Sequence, residues 1–167
     1  MDDALFEKIY DGTARSLWAY ISRISGNPTV ADDILQEAYL RFLASPPRTY
    51  SLAEVKPYLY KIATNLVYDR FRRMRRETGY LARSTGAGEL EGNISADESG
   101  MMQVFSRLTH QERSLLWLAY VEGYEHREIA DILKLSRLSI RVMLYRARQK
   151  LAKLLEAETE VLYEEIR

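Results

Sequence analysis

The sequence predicts an all-α protein: two small helical domains joined by a flexible linker, the second carrying a helix-turn-helix. Apolar residues recur every three or four positions along almost all of the 167 residues. That recurrence stops from Gly79 to Gly100, where Ser84, Thr85, Gly86, Gly88, Gly92 and Asn93 give the composition of a linker. No stretch alternates at strand period for long enough to compete.

The first domain, placed at 1–78, takes three helices. Leu5, Ile9, Leu17, Ile21 and Ile24 mark the first, Val30, Ile34, Ala38 and Phe42 the second, and Leu59, Ile62 and Leu66 the third. Asn27 and Pro28 separate the first pair, and Ser45, Pro46 and Pro47 end the second helix. Pro57 falls near the start of the third, where a missing N–H does least harm. After the linker (79–100), the second domain (101–167) opens with one long helix marked by Val104, Leu108, Leu115, Leu116 and Ala119 and ended by Gly123. A short helix around Ile129, Ala130 and Leu133 follows. A tight connection at Lys134, Leu135 and Ser136 then leads into a longer helix with Ile140, Leu144, Ala147 and Leu151 on its inner face.

Composition narrows the function classes. With 47% hydrophobic residues the chain can fill two cores, yet its longest apolar run, Leu115 to Val121, is far short of the ~18 residues a spanning helix needs. No membrane insertion is expected. Met1-Asp2-Asp3 has the wrong charge for a secretory leader, so the expected location is the cytoplasm. There is no cysteine, and His110 and His126 are the sole histidines, so neither disulfides nor thiolate metal sites are available. No cofactor is expected. No metal set, no nucleophile with a neighbouring base and no phosphate-cradling glycine loop is present, which argues against a nuclease or other enzyme, and no small-molecule substrate is expected.

The 24 basic and 24 acidic residues balance overall but are segregated. Arg70 to Arg76 holds five arginines in seven residues, and Lys134 to Lys153 holds seven basic residues and no acid. Acids gather in the first third and in a tail with Glu156, Glu158, Glu160, Glu164 and Glu165. Local fields, not the sum, decide what such a chain binds.

Three constellations follow. In the helix-turn-helix, a first helix braces a second whose N-terminal residues can meet base edges in a major groove. Opposite its inner face lie Leu138, Val142, Tyr145 and Gln149, with Arg141 and Arg146 on the flanks where phosphates would run. The plainer alternative is an amphipathic surface helix with solvated charges; the absence of acids argues against it. The second constellation is the helix Tyr58 to Arg76. Tyr58, Tyr60, Tyr68 and Phe71 precede or interleave the arginines, a pattern suited to neutralising phosphates and stacking on exposed bases, with a solvated end of a core helix as the alternative. The third is Asp32-Asp33-Ile34-Leu35-Gln36-Glu37, an acidic, amide-bearing turn suited to protein docking. Asp33 and Glu37 share a face as a metal pair would, but no Glu-x-x-His partner completes such a site.

Taken together, these stretches resemble an extracytoplasmic-function sigma factor of bacterial RNA polymerase. The resemblance rests on Asp32 to Glu37; on Tyr58-Leu59-Tyr60-Lys61-Ile62-Ala63-Thr64-Asn65-Leu66 with Asp69-Arg70 and Arg72-Arg73; and on Glu122-Gly123, Glu128-Ile129-Ala130, Ser139-Ile140-Arg141 and Arg146-Ala147-Arg148. They stand in the family's order and spacing and span roughly Phe6 to Leu155. The resemblance implies a transcription initiation factor that directs core RNA polymerase to promoter DNA. It implies docking on the polymerase by Asp32, Asp33, Gln36 and Glu37. Recognition and opening of the −10 element would fall to Tyr58, Lys61, Asn65, Arg70, Arg72, Arg73, Arg75 and Arg76. Reading of the −35 element would fall to Arg137, Leu138, Ser139, Arg141, Val142, Tyr145 and Arg146. An anti-sigma factor is the further partner the resemblance implies.

The chain departs from the family in three places. Where the family commonly offers Phe-Arg-Gly before the third helix, it has Ser45-Pro46-Pro47-Arg48-Thr49-Tyr50-Ser51. Lys134 replaces the common turn glycine, and a non-glycine residue in a left-handed turn costs on the order of 1 kcal/mol. Ser139-Ile140-Arg141-Val142-Met143 replaces Thr-Val-Lys-Ser-Arg. Rival classes are a sigma-like decoy that binds an anti-sigma protein without initiating transcription, and an ordinary helix-turn-helix regulator, which leaves the first domain unexplained. The five glutamates of the tail would lower DNA affinity if they folded back on the basic recognition helix; the alternative is a helix end that stays solvated.

Overall fold

In a computed structural model, which describes residues 1–85 and 100–165, the described residues form seven α-helices and no strand. The chain divides into two compact units, Met1–Gly92 and Asn93–Arg167.

The first unit packs α1 (Asp3–Ser25), α2 (Pro28–Ala44) and α3 (Leu52–Thr85) pairwise around one core. Local chemistry sets the joints. The Asp2 carboxylate accepts the Leu5 N–H at 2.8 Å and opens α1, which ends at Gly26 with φ 68°, the left-handed cap that glycine adopts without penalty. One residue on, Asn27 caps α2 by accepting from Thr29 and Val30, and Pro28 takes the first-turn position. Ile9, Leu17, Ile21, Ile24, Ile34, Phe42, Leu59 and Val67 fill the core. Its buried hydroxyls are paired. Thr13 spends its proton on the Ile9 carbonyl at 2.6 Å, so the Tyr39 hydroxyl is the donor in their 2.6 Å contact. By the same reasoning Tyr20 donates to Thr64 at 2.7 Å, because Thr64 donates to the Tyr60 carbonyl.

The third helix differs from its sequence reading at both ends. It begins at Leu52, six residues before Tyr58, and carries Pro57 inside. At that depth proline removes one helical hydrogen bond, and Val55, fully buried near the helix start, offsets the loss by anchoring the first turn. The helix runs on to Thr85, so the first seven residues expected as linker, 79–85, are helical. The rest of that expectation, 86–99, lies outside the described residues.

The second unit holds α4 (Gly100–Ser106), α5 (His110–Tyr120), α6 (His126–Leu133) and α7 (Arg137–Glu165). The single long helix expected over Val104 to Ala119 is two helices, because Thr109 and Glu112 form a capping box that starts α5 afresh. Arg113 then turns back into the break. Its Nε donates to the Leu108 carbonyl at 3.0 Å and its Nη2 to that of Ser106, satisfying acceptors that the end of α4 leaves open. Val104, Leu108, Leu115, Leu118, Ile129, Ile132, Ile140 and Ala147 form the core. Among the described residues no helix is long and apolar enough to cross a membrane.

Candidate nucleic-acid interface

In the second unit α6, the connection 134–136 and α7 make the helix-turn-helix. Lys134 ends α6 in the left-handed conformation, with φ 54° and ψ 44°, and its N–H returns to the Ala130 carbonyl. The chain thus reverses sharply where a glycine would do so without strain. On α7, Ile140, Leu144 and Ala147 are buried, and Leu151 is partly covered. The opposite face is open: Leu138 is 90% exposed, Val142 49% and Tyr145 55%. Arg141, Arg146 and Gln149 are exposed as well, and Ser139 is half-buried. Arg137 comes within 3.9 Å of Asp131 on α6, with both side chains mostly in solvent.

Two contacts that sequence reasoning missed hold α7 against α5. Lys150 donates to Glu112 at 2.9 Å, and Arg148 donates to the Tyr120 hydroxyl at 2.9 Å. Neither was legible, because both join residues 28 or more positions apart.

In the first unit, Tyr58, Lys61, Asn65 and Arg72 fall at helical steps of three, four and seven on one face of α3. Tyr58, Lys61 and Asn65 are half-buried, and Arg70, Arg72, Arg73, Arg75 and Arg76 are exposed. Tyr58 donates its hydroxyl to the Ser45 carbonyl at 2.7 Å and stands 6.3 Å from the Phe42 ring, tying α3 to the loop that precedes it. Arg72 pairs with Asp69, and Arg70 approaches Asp33 on α2 at 3.8 Å. Tyr60 does not belong with the aromatics available for stacking. It is fully buried, its ring 4.8 Å from that of Tyr20, because the core stripe of α3 runs through 59, 60, 63, 66 and 67. Tyr68 and Phe71 remain half-buried at the surface.

Of the acidic group on α2, Asp32, Asp33 and Gln36 are exposed and Glu37 is half-buried. Glu37 pairs with Arg41 at 2.8 Å, and Asp32 accepts the Trp18 indole N–H at 2.7 Å. Exposed Leu40 (62%) and Leu43 (46%) continue this face, so it is partly apolar. Their position was readable in principle: the core stripe 31, 34, 38, 42 leaves 40 and 43 pointing away.

Comparison with known proteins joins these surfaces to one family. The model of sigma-70 region 2 matches residues 9–77, and that of sigma-70 region 4 matches residues 100–151. The chain is 26% identical over 156 residues to the extracytoplasmic-function sigma factor SigM of Bacillus subtilis, covering 87% of this chain and 91% of that one. It is 25% identical over 150 residues to SigL of Mycobacterium tuberculosis, covering 86% and 85%. Among solved structures it is similar in fold to the sigma factor RpoE of Bartonella quintana, determined in complex with the anti-sigma factor NepR. That likeness has a TM-score of 0.75 and 22% identity, and it covers 90% of this chain and 96% of that one. With region 2 on the three-helix unit and region 4 on the helix-turn-helix unit, the chain belongs to the extracytoplasmic-function sigma factors, which serve promoter-specific transcription initiation.

Proposed function

We propose that the chain docks on bacterial core RNA polymerase in the cytoplasm through the α2 face carrying Asp32, Asp33, Gln36 and Glu37. In this reading α3 recognises and helps to open the −10 element, with Tyr58, Lys61 and Asn65 against displaced bases. Arg70, Arg72, Arg73, Arg75 and Arg76 hold phosphates. The helix α7 reads the −35 element through Arg137, Leu138, Ser139, Val142 and Tyr145, with Arg141 and Arg146 setting register on the backbone. An anti-sigma factor restrains the chain, a reading supported by the complex in which the similar RpoE was solved.

The observation that carries the reading is the split of α7 into a buried stripe of Ile140, Leu144 and Ala147 and an open face bearing arginines and no acid between Arg137 and Lys153. A braced helix with that polarity fits a groove lined by phosphates. Run-off transcription with core polymerase on a randomised promoter library tests it: the chain should enrich templates sharing two elements, and a library left unenriched refutes it. The decoy reading draws on the apolar exposed trio Leu138, Val142 and Tyr145, which would equally suit a protein groove. It requires partner binding with no enrichment at all.

A further inference from the structure

The acidic tail is not a separate arm. Its residues continue α7, which is one helix from Arg137 to Glu165, so Glu160 lies 19 residues beyond Arg141, roughly 28 Å along the same rod. A helix cannot fold back on itself, and the tail therefore cannot cover its own recognition face. It can cover another copy's.

An exposed stripe runs the length of α7 from Leu138 through Val142, Tyr145, Gln149, Ala152, Glu156 and Thr159 to Tyr163. Its steps of four and three keep the 3.5-residue period of a two-stranded coiled coil, and none of these residues faces the unit's own core. Tyr163, at 70% exposed, and Leu138, at 90%, stand at opposite ends of it. Charge along the helix is polar in the same sense: basic without an acid from Arg137 to Lys153, then acidic at Glu156, Glu158, Glu160 and Glu164.

We propose that two copies of the chain pair antiparallel along this face of α7, Leu138 of one against Tyr163 of the other, so that each tail hides the other copy's DNA-reading face. A two-fold axis beside residues 150 and 151 generates this register, and the same axis brings Val142 opposite Thr159 and Tyr145 opposite Glu156. On the flanks it sets Arg137 opposite Glu164 and Arg141 opposite Glu160. Each of these contacts occurs twice. The alternatives are repulsive or poorer: parallel pairing puts Arg141 on Arg141 and Glu160 on Glu160, and a slip of one heptad puts Arg141 opposite Lys153. The antiparallel order also sets the two helix dipoles head to tail. Access is not in question if α7 serves as a recognition helix, since a face that enters a major groove about 12 Å wide projects far enough to meet a helix of similar diameter. The pairing stands on the geometry of α7 alone, whereas its inhibitory consequence rests on the −35 reading.

The full chain has no cysteine, which makes the test clean. In sedimentation velocity at low salt the wild type should show a dimer whose share rises with concentration and falls with added salt. Glu160→Lys with Glu164→Lys should raise the dimer dissociation constant at least tenfold, and adding Arg137→Glu and Arg141→Glu to the same chain should restore pairing. Mixed Leu138→Cys and Tyr163→Cys chains should form a disulfide at least tenfold faster than either variant alone. A wild type that sediments as monomer throughout, or Leu138→Cys chains that link to one another as fast as to Tyr163→Cys, overturns the pairing. With a −35 DNA fragment titrated into wild type held below and then above its dimer dissociation constant, the apparent affinity should be at least tenfold weaker in the dimeric sample. If both samples bind equally well, the hidden-face consequence fails while the pairing stands. If neither binds, the −35 reading fails instead.

Discussion

One oxygen of Glu112 holds two elements together: its Oε2 accepts the Thr109 N–H at 2.8 Å, closing the capping box of α5, and the Lys150 ammonium of α7 at 2.9 Å. Burial works against the charge, but the Thr109 hydrogen bond and Lys150 outweigh it and hold the carboxyl below its ordinary 4.5. A depressed carboxylate contributes stability that is present above its unfolded value and is lost as pH falls through the folded one. Glu112→Gln should therefore destabilise the second unit by about 1 kcal/mol at neutral pH and flatten its stability profile below about pH 4.5. Denaturant melts at pH 7 and pH 3.5 check this; equal losses at both would show that the charge contributes nothing.

Tyr39 gives the opposite sign in the first unit. Burial pushes its hydroxyl up to about 12, with the Thr13 hydrogen bond lowering it less than burial raises it. Stability contributed by the neutral phenol is complete below its ordinary value of 10 and drains away as pH rises toward 12. Tyr39→Phe should cost on the order of 1 kcal/mol at neutral pH, through the lost bond to Thr13, and should reduce the alkaline loss. Helical signal followed from pH 9 to 12 measures both.

Lys134 should be a place where the natural residue is not the most stable one. Its φ of 54° costs a side-chain-bearing residue on the order of 1 kcal/mol, so Lys134→Gly should stabilise the second unit by up to about that amount. For a unit of this size the shift in melting temperature should be of the order of 4–8 °C, whereas Lys134→Ala should bring no rise. A fall with glycine would show that lost chain entropy outweighs the strain.

Most of the fold was legible because core stripes dominate the pattern. Ile140, Leu144 and Ala147 repeat at helical spacing and are buried, and the left-handed turn at Lys134 was readable from where it stands in the motif. The failures have physical causes. Thr109 and Glu112 spell a capping box, but an apolar stripe continuing across a break looks the same as one helix. Tyr60 shares the buried stripe of Leu59, Ala63 and Val67, but grouping it with the aromatics that interleave the arginines hid that position. The tail glutamates left a fold-back and a solvated helix end both open, because composition carries no information on whether a helix has ended. Pairings such as Trp18 with Asp32, or Arg70 with Asp33, depend on how helices cross, which no local pattern encodes.

On α3 the arginines differ in how free they are. Arg72 is committed to Asp69, whereas Arg73 is exposed and makes no ion pair among the described residues. Arg73→Ala should weaken promoter-complex formation and reduce the slope of log affinity against log salt by close to one unit. Arg72→Ala should do less, because Arg72 already spends a donor and part of its charge on Asp69. Filter binding from low to moderate salt measures both slopes, and an unchanged slope for Arg73→Ala would count against α3 as a phosphate-contacting element.

The recognition helix carries the sharpest prediction, since the apolar residues Leu138 and Val142 occupy its open face. Apolar side chains cannot hydrogen-bond to base edges, but they can pack on the C5-methyl group of thymine, which projects into the major groove. Thymine should accordingly be preferred at one or two positions of the −35 element, with Arg137 the donor to a neighbouring base and Arg141 and Arg146 fixed on phosphates. Val142→Ser removes the methyl contact while leaving Ile140, Leu144 and Ala147 packed, so the domain should fold normally. In a −35 library scored for both proteins, the variant should lose on the order of 1 kcal/mol of thymine preference at a single position and little elsewhere. A uniform loss across sequences would mean that Val142 acts through phosphate positioning. If the base preference were intact and binding to an anti-sigma protein abolished, this face would belong to a protein partner and the groove assignment would be wrong.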